Sequence, residues 1–498
     1  MVLQNRFNLI DEPWIPVADA GLVSLKDVFL RDSLRALGGN PVQKIAMTKF
    51  LLAIAQAAAT PENDDEWATM GPKGLAERCL SYLEKWHDRF FLFGEQPFLQ
   101  MEGVRTAALQ SFGAVLPEIS TGNTSLLFQS QIEKKLSEAD KAMISIQLSG
   151  FGLGGKADNS LVLTPGYGGK RNPKGKPSVS KSGAWVGYKG YLHSFFFGDN
   201  LLKTLWVNLF SQSQIGLMSV YPSGVGTPPW ELMPKGEDCP VAKCLKLSLM
   251  GRLVPLSGFF LFEEDGLHYT EGIAYPDYKE GGVDPSVAID DSGKDPKALW
   301  VDPEKRPWRS ITALLGFLAG RASKGFDCWQ LRFNLEKASK HLKTVGIWSG
   351  GLRISSNSGK VYIGGSDDFV ESLVELPGNL LDKNWFARLS LEIEEMENLS
   401  KIVFQTVSNY FKDQRMTESK QAKNAVQLFW QLCEQQFNEL VEACESSESA
   451  KSLRPTFVRI VEKVYDLNCP RETARQVEAW VRNRPNLASY LSRMKETA

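Results

Sequence analysis

The chain has 498 residues, with 57 Lys and Arg against 58 Asp and Glu, a net charge of -1, and 43% hydrophobic residues. That length leaves room for roughly two to four domains with ample core, and no apolar stretch reaches the roughly 20 residues that cross a bilayer. Near-neutrality excludes a uniformly basic surface, so any contact with a polyanion must come from a local patch.

The opening Met-Val-Leu-Gln-Asn-Arg-Phe has neither the charged nor the apolar region of a secretory signal. The seven cysteines lie at 79, 239, 244, 328, 433, 444 and 469 without framework spacing. They read as reduced thiols of a cytoplasmic protein. Cys239 and Cys244 are too few for a structural zinc site, so no metal is expected.

In chain order, the first clear element is a helix opening after Gly38-Gly39-Asn40 with Pro41 in its first turn. A second helix is expected over 75–91. The apolar run 143–148 can be read as a strand. It leads into Gly150-Phe-Gly152-Leu-Gly154-Gly155-Lys156, where Gly152, Gly154, Gly155 and Lys156 form a candidate phosphate-binding cluster. The stretch fits both G-x-G-x-x-G and G-x-x-x-x-G-K. Both motifs need a following helix, and the β-type run ending in Pro165 leaves no room for one. Ala157 also stands where a P-loop needs Ser or Thr. A P-loop-like nucleotide hydrolase using 150–156 is therefore an alternative of lower rank than a loop that touches a nucleic-acid backbone.

A second cluster follows, Gly166-Tyr167-Gly168-Gly169-Lys170-Arg171, and residues 166–189 hold six cations and no acid. Glycines admit close backbone approach and the cations meet phosphate. Strand-like pieces follow at 184–188, 192–197, 244–249 and 258–262, and 276–307 reads as a long loop. Residues 350–364 alternate apolar and polar about a Ser-Ser-Asn-Ser-Gly centre, the pattern of a hairpin with Ser355, Ser356 and Asn357 at its tip. Only four histidines occur, and no H-x-x-x-H or G-x-S-x-G appears, so catalysis has no visible seat.

Glycine is missing from 379 onward. Apolar residues there recur at helical spacing over 385–411, 422–444, 455–466 and 471–495, which predicts a four-helix bundle. The fold class expected is α+β, an irregular mixed α/β domain over 1–378 followed by the bundle over 379–498.

Several ordered motifs resemble one family. They are Asn8-Leu-Ile-Asp11-Glu-Pro-Trp14-Ile-Pro16, Glu95-Gln-Pro97-Phe98-Leu-Gln100, the Pro165–Gly169 loop, Gly350-Gly351-x-Arg353 and the terminal bundle. Together they resemble the large subunit of type I-E CRISPR Cascade, the CasA family, from end to end. The resemblance implies a non-catalytic cytoplasmic subunit without cofactor that reads the protospacer-adjacent motif (PAM) of foreign duplex DNA. Its implied partners are crRNA, the other Cascade subunits and a helicase-nuclease. It assigns PAM reading to Gly166–Arg171, the duplex wedge to Arg353, Ser355, Ser356 and Asn357, and crRNA contact to Phe128 and Gln129. The zinc-binding cysteines of some relatives are absent from 258–266, and 269–279 offers no clear match for the family's lysine finger. An RNA-binding scaffold is the remaining alternative.

Overall fold

The computed structural model describes residues 5–116, 135–151, 161, 163–164, 190–276, 278–319, 325–357, 360–362, 369–378, 381–416 and 419–492. The chain forms two compact units, Met1–Phe317 with Lys324–Leu373, and Leu318–Ser323 with Val374–Ala498. Small sheets and many helices make the architecture α+β. No described helix is long and apolar enough to cross a membrane.

The first unit is built around the helix Pro41–Ala59. Asn40 and Gln43 close a capping box at its start, with Pro41 in the first turn where its missing N–H costs nothing. Fourteen of its residues are buried, including Val42, Ile45, Phe50, Leu51 and Ile54, so it is a core helix rather than an amphipathic surface one. Phe50 meets Trp14, Phe98 and Trp230 at ring-centroid distances of 5.7–6.1 Å, which brings two of the quoted motifs onto one aromatic cluster.

Three expectations for this unit need correction. The second helix runs Asp64–Lys85, kinked at Gly71-Pro72, and stops before a strand Phe91–Phe93 that pairs with Arg6–Asn8. The run 143–148 is helical, within Glu138–Gly150, whose Ser137 and Asp140 form a capping box. Of residues 244–249 the first three end the helix Pro240–Lys246, where Pro240 fills the first turn and Cys239 caps it, and the last three form a turn. In the last two cases a start signal four to six residues upstream outweighed the local apolar pattern. The 276–307 segment is mostly irregular and carries a two-residue ladder, Ile289–Asp290 with Lys297–Ala298.

The sheet that positions the candidate site has Thr344–Leu352 in the middle. It pairs antiparallel with His193–Phe197, from Gly346 opposite Phe197 to Gly350 opposite His193, and on its other side with the strand that starts at Phe369.

In the second unit the helix Lys383–Asp413 is capped by Asp382 and buries Leu389, Ile393, Met396, Leu399, Val403 and Val407 along one stripe. Ser419–Glu434, Arg454–Asn468 and Ala474–Arg482 pack on it, giving four principal helices. Two of the expected helices are broken. The 422–444 stretch continues as Phe437–Ala443 after an interruption at 435–436, and Pro485 separates Ala474–Arg482 from Ala488–Ser492. Arg454 and Glu392 form a buried two-pronged ion pair in this core.

Candidate nucleic-acid interface

The basic loop itself, with Gly166, Tyr167, Gly168, Gly169, Lys170 and Arg171, lies outside the described residues. Its two ends are described, and each is clamped. Leading in, the backbone N–H groups of Leu163 and Thr164 donate to the carboxylate of Glu237 at 3.1–3.4 Å, and Asp238 N–H donates to Thr164 Oγ1 at 3.1 Å. Glu237 is only 2% exposed. A carboxylate that accepts several backbone N–H bonds is a rigid anchor, because each broken bond would leave a buried charge partly unsolvated. Gly236 allows the approach, since a Cβ there would stand 2.8 Å from Thr164 N.

Leading out, Gly190 takes a left-handed φ of +66°, and its O accepts from Val301 N–H at 2.9 Å. A Cβ on Gly190 would lie 3.0 Å from Leu352 O and 3.2 Å from Ile354 N, and one on Gly351 would lie 2.7 Å from Tyr191 O. The chain leaving the basic loop therefore presses directly on the segment that opens the hairpin. Two stretches far apart in sequence meet because strand pairing of His193–Phe197 with Thr344–Leu352 holds them in register.

The hairpin is present but differs from the expectation. Ser355–Asn357 pairs with Lys360–Tyr362, and Asn357 opposes Lys360. Ser355, Ser356 and Asn357 therefore form its first arm rather than its tip. Gly350 and Gly351 belong to the larger sheet, so the alternation across 350–364 spans two ladders that meet at Arg353-Ile354. Arg353 is exposed at that junction.

The other glycine cluster sits differently. Gly150 ends a helix, Phe151 behind it is buried, and Ser149 O accepts from Ser257 N–H at 3.0 Å. Dinucleotide and P-loop motifs both need a strand before their glycines, so the helix here overturns the nucleotide-hydrolase alternative. Gly152, Gly154, Gly155 and Lys156 lie outside the described residues, as do Phe128 and Gln129.

The described residues that flank the segment bearing Phe128, Phe112 on one side and Lys135 and Leu136 on the other, line a cleft of about 1600 Å³. Its lining holds six carboxylates against four cations. Arg105 pairs with Glu102 and Glu263, and Arg6 pairs with Glu138 at 2.7 Å. Lys141 donates to Glu264 O at 2.8 Å, and burial, then the neighbouring Arg6, lowers its pKa. With both arginines paired to acids and carboxylates outnumbering cations, the described wall carries no surplus positive charge for a phosphate.

One buried cluster resembles a catalytic triad and is not one. His193 Nδ1 lies 2.8 Å from Ser286 Oγ, and Ser286 Oγ donates to Asp284 Oδ1 at 2.8 Å. The single hydroxyl proton is committed to the carboxylate, so His193 must donate to the serine instead of accepting from it, the reverse of base activation. His193 is 0% exposed and Asp284 is also paired with buried Lys49. Burial pushes the Asp284 carboxyl up, but the charges of Lys49 and His193 and hydrogen bonds from Lys49 and Ser286 bring it down to about 2. The network ties the core helix to the sheet.

Sequence reasoning missed Glu237 and Gly190. Glu237 sits in an ordinary polar turn and its partners are more than seventy residues away, so nothing local marks it.

The sequence matches the CRISPR-associated protein Cse1 family over residues 8–465. It is 28% identical over 342 residues to the CRISPR-associated protein CasA/Cse1 of Thermus thermophilus, a stretch covering 64% of this chain and 62% of that relative. The fold is similar to that of Thermus thermophilus CasA (Cse1), with a TM-score of 0.70 at 20% identity over 96% of this chain and 98% of that one. It is also similar to Thermobifida fusca Cse1, with a TM-score of 0.65 at 20% identity over 96% and 97%. A chain of a CRISPR RNA-guided surveillance complex gives 0.67 at 14% identity over 96% and 98%.

Proposed function

The chain belongs to the Cse1 family of CRISPR-associated proteins, and on that premise we propose that it is the non-catalytic DNA-recognition subunit of a type I-E RNA-guided interference complex. In this reading it sits with crRNA and the other Cascade subunits, reads the PAM of foreign duplex DNA, helps part the strands, and docks the helicase-nuclease. Guide pairing supplies sequence specificity, so the protein need read only a short duplex tag.

The observation that carries the reading is the convergence of the basic loop's outgoing end with the base of the hairpin, at Gly190, Leu352 and Ile354. A loop that holds a tag beside a hairpin that enters the adjoining step combines capture and opening at one place. Gly166–Gly169 would set backbone amides against the groove floor, and Lys170 and Arg171 would meet phosphates.

The test uses the assembled complex with its guide. Wild type should bind tagged duplex more tightly than untagged, and Gly168→Val should erase most of that difference because a branched side chain blocks close approach. Discrimination that survives in the variant would move the reader to another segment. A complex that binds crRNA but never discriminates duplexes would instead mark the chain as an RNA-binding scaffold.

A further inference from the structure

Trp300 is the one described tryptophan that is exposed rather than buried or half-buried, at 45%. Its backbone is fixed on both sides. Leu192 N–H donates to Leu299 O and Val301 N–H donates to Gly190 O, each at 2.9 Å. Val301 is buried with Leu192 and Val370, and Ala298 with Tyr191 and Tyr278, so the indole is carried outward by a segment whose other residues are packed. The Tyr191 ring lies 5.1 Å from it at 41°, and Tyr278 approaches edge-on at 6.4 Å and 78°. A Cβ on Gly351 would meet Val301 Cγ2 at 2.6 Å, so Trp300 stands where the basic loop ends and the hairpin begins.

An exposed apolar ring usually has no consequence, but one braced by two tyrosines at this junction is a preorganised flat surface. The exposed charges flanking it over 297–306, Lys297, Lys305 and Arg306 against Asp302 and Glu304, nearly balance, so the surface offers chiefly a π-face, with at most a weak attraction for phosphate. Resting on the DNA-recognition reading above, we propose that Trp300 is the stacking platform for a nucleobase released when the first base pair beside the tag opens. Every base presents a π-face, so such a platform tolerates any sequence, as a guide-programmed complex requires.

The experiment uses the assembled complex and tagged duplexes carrying 2-aminopurine at each of the first guide-pairing positions, on either strand. Wild type should quench the fluorophore at one position after opening. Trp300→Ala should remove that quenching and weaken binding to a pre-opened bubble about tenfold, within the range of one base–aromatic stack. Trp300→Phe should restore most of both, and first capture of closed tagged duplex should not change in either variant. Unaltered fluorescence and bubble affinity in Trp300→Ala would overturn the platform. A variant that fails to assemble with the other subunits would also overturn it, in favour of a protein contact. Failure of wild type to discriminate tagged duplex would sink the recognition reading itself, which the same control measures separately.

Discussion

Lys49 and Asp284 show how single residues set the stability of the first unit. Both are buried, and Lys49 also donates to Arg252 O. Removing one partner strands the other charge in the core, so Asp284→Asn should cost about 3–5 kcal/mol near neutral pH, read as a lower urea midpoint. The folded carboxyl, at about 2, is more acidic than an unfolded aspartate at about 3.9. Its stabilisation is thus complete above the unfolded value and fades as pH falls through the folded one, and the gap between variant and wild type should narrow in that window. Glu271 carries the opposite sign. Burial pushes its carboxyl up to about 7, and its Oε2 finds no hydrogen-bond partner among the described residues. The folded state favours the protonated form, a preference present below the unfolded value of about 4.3 and lost as pH rises through 7. Glu271→Gln should therefore raise the melting temperature at about pH 8 and leave it near wild type at about pH 4. Equal gains at both would show that burial of the charge is not the cause.

Among elements, the hairpin gives the sharpest expectation. If it enters the step beside the tag, replacing 355–362 by a short Gly-Ser linker should leave capture of tagged duplex intact. Strand opening should slow about tenfold, the factor carried by one stacked step of roughly 1.4 kcal/mol. A duplex already opened at the first guide-pairing positions should recover the rate, and capture that collapses instead would make the hairpin a reader or a strut. The same element shows where local pattern runs out. A hairpin over this stretch was legible, but its arms were not, because Gly350 pairs with His193 and Gly351 packs on Tyr191, both more than 150 residues away. Asn40-Pro41 announced its helix openly, since start signal and apolar run agreed. At 138–150 the signal was equally present, Ser137 with Asp140, but the apolar run looked like a strand once the glycines behind it suggested a nucleotide fold. The second unit's stripe from Leu389 to Val407 was readable over its whole length, because a surface helix writes its period into the sequence and a core helix such as Pro41–Ala59 does not.

For the whole molecule, a chain of net charge -1 can bind DNA only through concentrated cations, and the salt dependence of binding counts them. Lys170→Ala with Arg171→Ala should lower the slope of log affinity against log salt by about 0.9 for each phosphate the loop no longer neutralises. An unchanged slope in the assembled complex would place the phosphate-binding cations elsewhere. The sequence marks 166–189 as a glycine-bearing basic stretch without acids, and what holds its two ends is not legible there. Glu237 holds Leu163 and Thr164, and Gly190 rests against Leu352 and Ile354, over separations no periodicity reveals. Both clamps are made by residues on either side of 165–189, Leu163 and Thr164 before it and Gly190 after it. If the proposed DNA-recognition reading is right, exchanging 165–189 alone for a relative's segment should bring the donor's choice of tag with it, so that clamps held by the frame would let a lineage retune what it treats as foreign; an unchanged choice of tag would place the reader elsewhere.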